Sequence, residues 1–114
     1  MKILISGGAG YIGSTIASVL EDNGHTPIIL DSLVTGRREF TRGRAFYEAD
    51  IADRAMVRQV FSEHPDIFAT IHCAALIVVP ESVARPFDYY RDNVVKSMTF
   101  FKLLSELGYP RVVF

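Results

Sequence analysis

Cysteine is nearly missing from this chain: one of 114 residues, Cys73. That excludes a disulfide framework and any metal site built from several thiolates, and it suits a reducing compartment. Charge of one sign is equally scarce, with 12 Lys and Arg against 13 Asp and Glu and a formal net charge of −1. Such a balance provides no field for gripping nucleic acid or an anionic membrane, so neither is expected as a partner. No apolar run approaches the ~20 residues of a membrane span. The opening Met1-Lys2-Ile3-Leu4-Ile5-Ser6-Gly7 is interrupted by glycine too soon for a signal peptide and lacks a cleavage site. Repeats, low-complexity tracts and linkers are absent as well, so a single cytoplasmic domain is expected. What is present is a chain 49% hydrophobic and 22% charged, the composition of a folded core rather than of disorder.

Hydrophobic segments alternate in type. Lys2–Ser6 predicts a strand buried on both faces, and Tyr11–Asn23 a helix with Ile12, Ile16, Val19 and Leu20 on one stripe, stopped by Asn23-Gly24. Thr26–Leu30 predicts a second strand closed by Asp31, and Ser32–Arg44 a polar loop. Ala45–Glu48 follows as a third strand. Asp53–Glu63 reads as a helix capped by Asp53, with Met56, Val57, Val60 and Phe61 at helical spacing. Phe68–Cys73 is the fourth strand. Pro86 opens a long helix running to Gly108, with Val94, Met98, Phe101, Leu104 and Leu107 as its stripe. Arg111–Phe114 begins another apolar run that reads as a buried strand. Strand–helix alternation of this kind builds βαβ units, hence an α/β fold with a doubly wound parallel sheet, here incomplete at its C-terminus.

Chemistry enters at the turn after the first strand, Ser6-Gly7-Gly8-Ala9-Gly10-Tyr11-Ile12-Gly13. Gly8, Gly10 and Gly13 match G-x-G-x-x-G, and Gly7, Gly10 and Gly13 match G-x-x-G-x-x-G. Taken alone, such glycines mark only a tight turn. Between a predicted strand and a predicted helix they are the fingerprint of a Rossmann dinucleotide site. The first glycines permit the sharp turn, the middle one lets a pyrophosphate approach, and the last allows close helix–strand packing under a helix N-terminus that attracts negative charge. Eighteen residues after Gly13 stands Asp31, placed to accept hydrogen bonds from the adenosine ribose and to repel a 2′-phosphate, which favours NAD over NADP. Arg37 and Arg38 could accept that phosphate instead, or be solvated loop residues. Asp50-Ile51 is placed either to touch the adenine edge or, through its aspartate, to cap a helix.

Other constellations carry less. Cys73 and His72 are strand neighbours that point to opposite faces, so they do not form a thiol–imidazole pair. His25, His64 and His72 lack metal-ligand spacing, and no metal is expected. Two adjacent phenylalanines, Phe100 and Phe101, cannot both face inward, so the long helix is either core or a partner interface.

The glycine turn, together with Asp31-Ser32-Leu33-Val34-Thr35-Gly36, resembles the extended short-chain dehydrogenase/reductase family. His72-Cys73-Ala74-Ala75, Pro80-Glu81-Ser82-Val83, Pro86 and Tyr89-Tyr90-Arg91-Asp92-Asn93-Val94 narrow the likeness to its UDP-glucose 4-epimerase branch. UDP-glucuronate epimerases and dTDP-glucose dehydratases share much of this pattern. The resemblance implies a bound NAD and a UDP-sugar substrate epimerised through a 4-keto sugar. It also implies a Tyr–Lys pair in a Y-x-x-x-K motif, and a homodimer formed through helix 86–107. By position it puts Gly7, Gly10, Tyr11, Ile12 and Gly13 at the pyrophosphate, and Asp31, Ser32, Leu33, Val34, Thr35 and Gly36 at the adenosine ribose. Asp50 and Ile51 fall at the adenine, and Cys73, Ala74 and Ala75 along the middle of the cofactor. Ile77 and Asp92 belong to the same set, and Glu81 and Ser82 fall near the sugar.

Departures from the pattern are specific. Ser32 replaces a frequent Asn, Cys73 a frequent Phe, Ile77 a cation that reaches the cofactor, and Asp92 the first Asn of a pair. An added carboxylate and a lost cation both disfavour an anionic cofactor locally. None of Tyr11, Tyr47, Tyr89, Tyr90 or Tyr109 has Lys four residues on, so no catalytic residue is assigned. The expectation is therefore the N-terminal part of an NAD-binding domain without its sugar-binding domain, inactive alone. A non-enzymatic dinucleotide-binding module is the competing reading.

Overall fold

The computed structural model describes residues 1–114. Strand β1 (Lys2–Ser6) lies at the centre of a five-stranded sheet, with β2 (Thr26–Asp31) on one side and β4 (Ile67–His72) on the other. Outside these lie β3 (Ala45–Glu48) and β5 (Val112–Val113), giving the order β3-β2-β1-β4-β5 with every pair parallel. Both faces are covered, as the apolar runs require. Leu4, Ile28 and Leu30 point to one face. There they pack with Val57, Val60 and Phe61 of α2 (Arg54–Glu63) and with Phe100, Leu103 and Leu104 of α5 (Lys96–Glu106). Ile5 and Ile29 point to the other face, against Ala17 of α1 (Tyr11–Asp22). The sheet is the doubly wound, Rossmann-type arrangement expected from the alternation of segments.

Several details depart from the sequence-based expectation. In α1, Gly13 and Ala17 are the residues buried on the sheet, whereas Ile12 and Val19 are exposed and Ile16 and Leu20 half-buried. The helix comes so close to β1 that small residues must face it. The polar loop contains a 3₁₀ turn, Arg38–Thr41. Arg44 fastens this loop to α1 with a bidentate pair to Glu21 (2.9 and 2.7 Å) and a 2.8 Å bond to Ser18. Asp53 does cap α2, accepting the Met56 amide at 3.0 Å.

The long helix is the largest difference. A separate short helix, α3 (Val79–Ala84), precedes it, and the helix itself runs as α4 (Pro86–Tyr90), a π turn (Arg91–Val95) and α5. Its buried stripe is Ser97, Phe100, Leu103 and Leu104, so the expected phase is one residue out: Val94 and Met98 are exposed. The polar Ser97 does not look like a core residue, yet it is buried because it bonds His72. Phe100 faces the core and Phe101 is half-buried. The apolar run at Arg111–Phe114 supplies only a two-residue edge strand. Val112 is half-buried and Val113 and Phe114 are exposed, so it is not the buried strand expected. No helix is long and apolar enough to cross a membrane.

Candidate cofactor site

In the order β3-β2-β1-β4-β5 the chain first moves outward from β1 and then returns to its other side, so the connections diverge between β1 and β4. The crevice beyond the carboxyl ends of such strands is where open α/β sheets take ligands. Here the glycine turn occupies that point. Gly7 adopts φ +76°, and a Cβ on it would stand 2.6 Å from the Ala74 amide nitrogen. The turn is stitched to both neighbours, since the Gly7 amide donates to the Leu30 carbonyl and the Cys73 amide to the Ser6 carbonyl, each at 2.8 Å. A Cβ on Gly13 would lie 2.3 Å from the Gly7 carbonyl oxygen, so α1 starts directly against the end of β1. Its N-cap is Gly10, with no side-chain cap and no acidic residue in the first turn. The first N–H groups of such a helix have no partner within it, and with the helix dipole they favour an anion. Tyr11 and Ile12 are exposed beside them.

Asp31 closes β2 and is buried. One carboxylate oxygen accepts the Ala9 amide at 2.9 Å and the other the Leu33 amide at 2.8 Å. This carboxylate therefore ties the glycine turn to its own loop. Leu33 takes the left-handed conformation at φ 60°, the one non-glycine residue to do so. The loop then folds back: Gly36 packs on Ala9 and Asp31, where a Cβ would come within 2.9 Å of both, and the Arg37 amide donates to the Ala9 carbonyl at 2.9 Å. Ser32, Val34 and Thr35 are exposed along this rim. Arg38 is paired with Glu48 and lies over the Phe46 ring at 5.6 Å, while Arg37 is exposed.

The segment after β4 forms the opposite wall. Cys73 is half-buried against the Ile5–Ala17–Ile29 cluster, and burial pushes its thiol pKa up, away from the reactive thiolate form. Ala74 packs on the larger core, Ala75 is exposed at the rim, and Ile77 is exposed. Two side chains hold this wall where a strand would have used backbone. Asn93 accepts the Leu76 amide at 2.8 Å and donates to its carbonyl at 2.9 Å. The Tyr89 hydroxyl accepts the Val78 amide at 3.1 Å and lies 3.0 Å from the Val78 carbonyl and 2.9 Å from Glu81. Sequence reasoning gave these two residues no physical role, because such bonds depend on which backbone lies opposite.

The remaining expected residues are placed differently. Ile51 is buried in the larger core, with its side chain among Leu30, Val57 and their neighbours. Asp50 caps no helix, since Asp53 has that role; it accepts the Ala52 amide at 2.8 Å and pairs with Lys96. Asp92 is paired with both Arg91 and Lys96. Ser82 donates to the Val79 carbonyl at 2.6 Å, inside α3.

Behind the glycine turn lies a buried network that sequence reasoning missed. His72 Nδ1 is 2.6 Å from Ser6 Oγ and its Nε2 is 3.0 Å from Ser97 Oγ, which links β1, β4 and α5. Burial holds the imidazole pKa below its ordinary 6.5, because the charged form loses hydration there. The folded state thus binds fewer protons than the unfolded state, and stability rises with pH between the two pKa values. The contribution is present above pH 6.5 and is lost as pH falls below it. Denaturant titrations at pH 7.5 and about 5.5 should show this loss, and His72→Gln should flatten it. The carboxylates with lowered pKa, Glu21, Glu63, Asp66 and Asp92, respond only at lower pH.

A parallel sheet with a glycine turn at its switch point and an acidic residue closing the next strand defines a dinucleotide-binding domain. The chain belongs to the NAD dependent epimerase/dehydratase family, whose model matches residues 3–114. More particularly, it is 41% identical over 116 residues to the UDP-glucose 4-epimerase of Streptococcus mutans, a match that takes in 100% of this chain and 35% of that protein. Among solved structures it is similar to a UDP-glucose 4-epimerase from Brucella ovis in complex with NAD, with TM-score 0.94 and 35% identity over 99% of this chain and 34% of that one. It is also similar to the UDP-glucose 4-epimerase of Thermotoga maritima with UDP-glucose, with TM-score 0.90 and 34% identity over 100% of this chain and 37% of that one. The chain spans about a third of the length of these relatives.

Proposed function

We propose that residues 1–114 are the N-terminal part of the NAD-binding domain of a cytoplasmic UDP-glucose 4-epimerase-like enzyme. Its reaction interconverts UDP-glucose and UDP-galactose through a 4-keto sugar. The observation that carries this reading is the double engagement of Asp31, which holds the glycine turn and the 32–36 rim around one carboxylate. That arrangement fits a nicotinamide dinucleotide: bare backbone at Gly7 and Gly10, an uncapped helix N-terminus for the pyrophosphate, and a carboxylate at the ribose. When bound, NAD would supply a hydride acceptor and donor. The chain's own residues orient it. Ser32 to Gly36 line the ribose rim, Asp50 and the backbone of Ile51 border the adenine side, and Cys73 to Ala75 with Ile77 form the facing wall. The sugar-binding domain and the Tyr–Lys pair lie outside these residues in this reading. Exposed Phe87, Tyr90 and Met98 on α4 and α5 support a homodimer through helix 86–107.

Calorimetric titration with NAD and NADP tests the cofactor assignment. We expect weak NAD binding by the 114 residues and weaker NADP binding, with no turnover of UDP-galactose. Tighter NADP binding would overturn the role given to Asp31. Turnover by mass-verified material of this length would overturn the assignment of catalysis to residues outside it.

A further inference from the structure

Lys96, the first residue of α5, reaches two carboxylates, Asp92 four residues before it and Asp50 far along the chain. Its ammonium is 2.6 Å from Asp50 Oδ2 and 2.9 Å from Asp92 Oδ1. Asp50 follows β3, and the residue before it, Ala49, donates its amide to the Asp31 carbonyl at 3.1 Å. This bridge is therefore built onto the same end of the sheet as Asp31. Asp92 lies in the π turn, one residue before Asn93, which clamps the facing wall at Leu76. All three members are partly shielded from water, with side-chain exposures of 27% for Lys96, 40% for Asp50 and 21% for Asp92. Burial alone would pull the Lys96 ammonium down, but its two carboxylate partners outweigh that and hold it above its ordinary range, so it stays charged.

With Lys96 removed, Asp50 and Asp92 would lose their shared cation, adding net negative charge at this end of the sheet where an anionic dinucleotide is proposed to bind, and Asp92 would keep only the exposed Arg91. Partly shielded charges repel more strongly than solvated ones. We propose that Lys96 is a positioning residue of the cofactor site: it fixes Asp50 on the adenine side and neutralises Asp92, making the edge compatible with a dinucleotide. Asp92 and Lys96 thus compensate for one another. This inference rests on the NAD-site reading above.

The test is NAD titration of the intact protein and its variants at low and high salt. Lys96→Met should weaken NAD binding about tenfold at low salt, and the loss should shrink as salt screens the repulsion. Lys96→Arg should retain affinity, and Lys96→Met combined with Asp92→Asn should recover most of it. A Lys96→Met protein that binds NAD normally overturns the proposal. So does a loss that is insensitive to salt and not recovered by the double variant, which marks a merely structural lysine. Absence of NAD binding by the unchanged protein overturns the cofactor reading itself, and this inference with it.

Discussion

Placing a methyl group on Gly13 is expected to destabilise the protein by about 3 kcal/mol and to remove measurable NAD binding. Alanine in a helix interior normally gains about 1 kcal/mol over glycine, so the direction depends on what the new Cβ meets. The three atoms nearest to it are all backbone: the Gly7 carbonyl oxygen at 2.3 Å, the Gly8 Cα at 2.8 Å and the Gly7 carbonyl carbon at 2.9 Å. No side chain can swing away to make room. Helix α1 must lift from β1, and its Gly10 cap and first N–H groups move with it. Losing two charge-assisted bonds to a pyrophosphate amounts to roughly 3 kcal/mol, or about 100-fold in affinity. Denaturant unfolding and NAD titration of Gly13→Ala measure both quantities. A variant with unchanged stability and affinity would show that the helix has slack at this contact.

The second large effect belongs to Asp31, and its two substitutions should separate. Asp31→Ala leaves the Ala9 and Leu33 amides without their acceptors. Each buried donor left unpaired costs about 1–3 kcal/mol, so a loss of about 3 kcal/mol is expected from chemical denaturation. Asp31→Asn keeps the size and one acceptor oxygen but removes the negative charge. Its stability should fall less, while the ratio of NAD to NADP affinity should drop by about tenfold or more, because repulsion of a 2′-phosphate disappears. Arg38 is not expected to complete an NADP site, since it is occupied by Glu48 and Phe46. An unchanged cofactor ratio in Asp31→Asn would remove Asp31 from the ribose.

The parts of this architecture legible from the sequence are those governed by local rules. Lys2–Ser6 and Ala45–Glu48 are strands with the expected bounds, and Asp53 caps its helix as its residue type suggests. Gly7 and Gly13 do what their spacing implies, because a positive φ and a close approach are properties that glycine alone supplies. What was not legible depends on partners far along the chain. Ile12 and Val19 have the right spacing for a buried stripe, but the tight seat of α1 on β1 selects Gly13 and Ala17 instead. Ser97 is polar, so the pattern of the long helix was anchored on Val94 and Met98, and only its bond to His72 explains its burial. Lys96 is only four residues from Asp92, but its second carboxylate, Asp50, is 46 residues away and is brought to it only by the fold.

The π turn at Arg91–Val95 sets how the far wall of the cleft is fastened. Residues four apart creep about 40° around an α-helix with each step, so Tyr89, Asn93 and Ser97 would drift out of line. A π turn closes from i to i+5, takes more residues per turn and works against that creep. Those three side chains then form a single row of fasteners. The row meets Val78 and Leu76 in the chain leaving β4 and His72 at the end of β4 in turn, like teeth engaging successive notches. Helix and wall are thereby joined along one row of three side-chain hydrogen bonds.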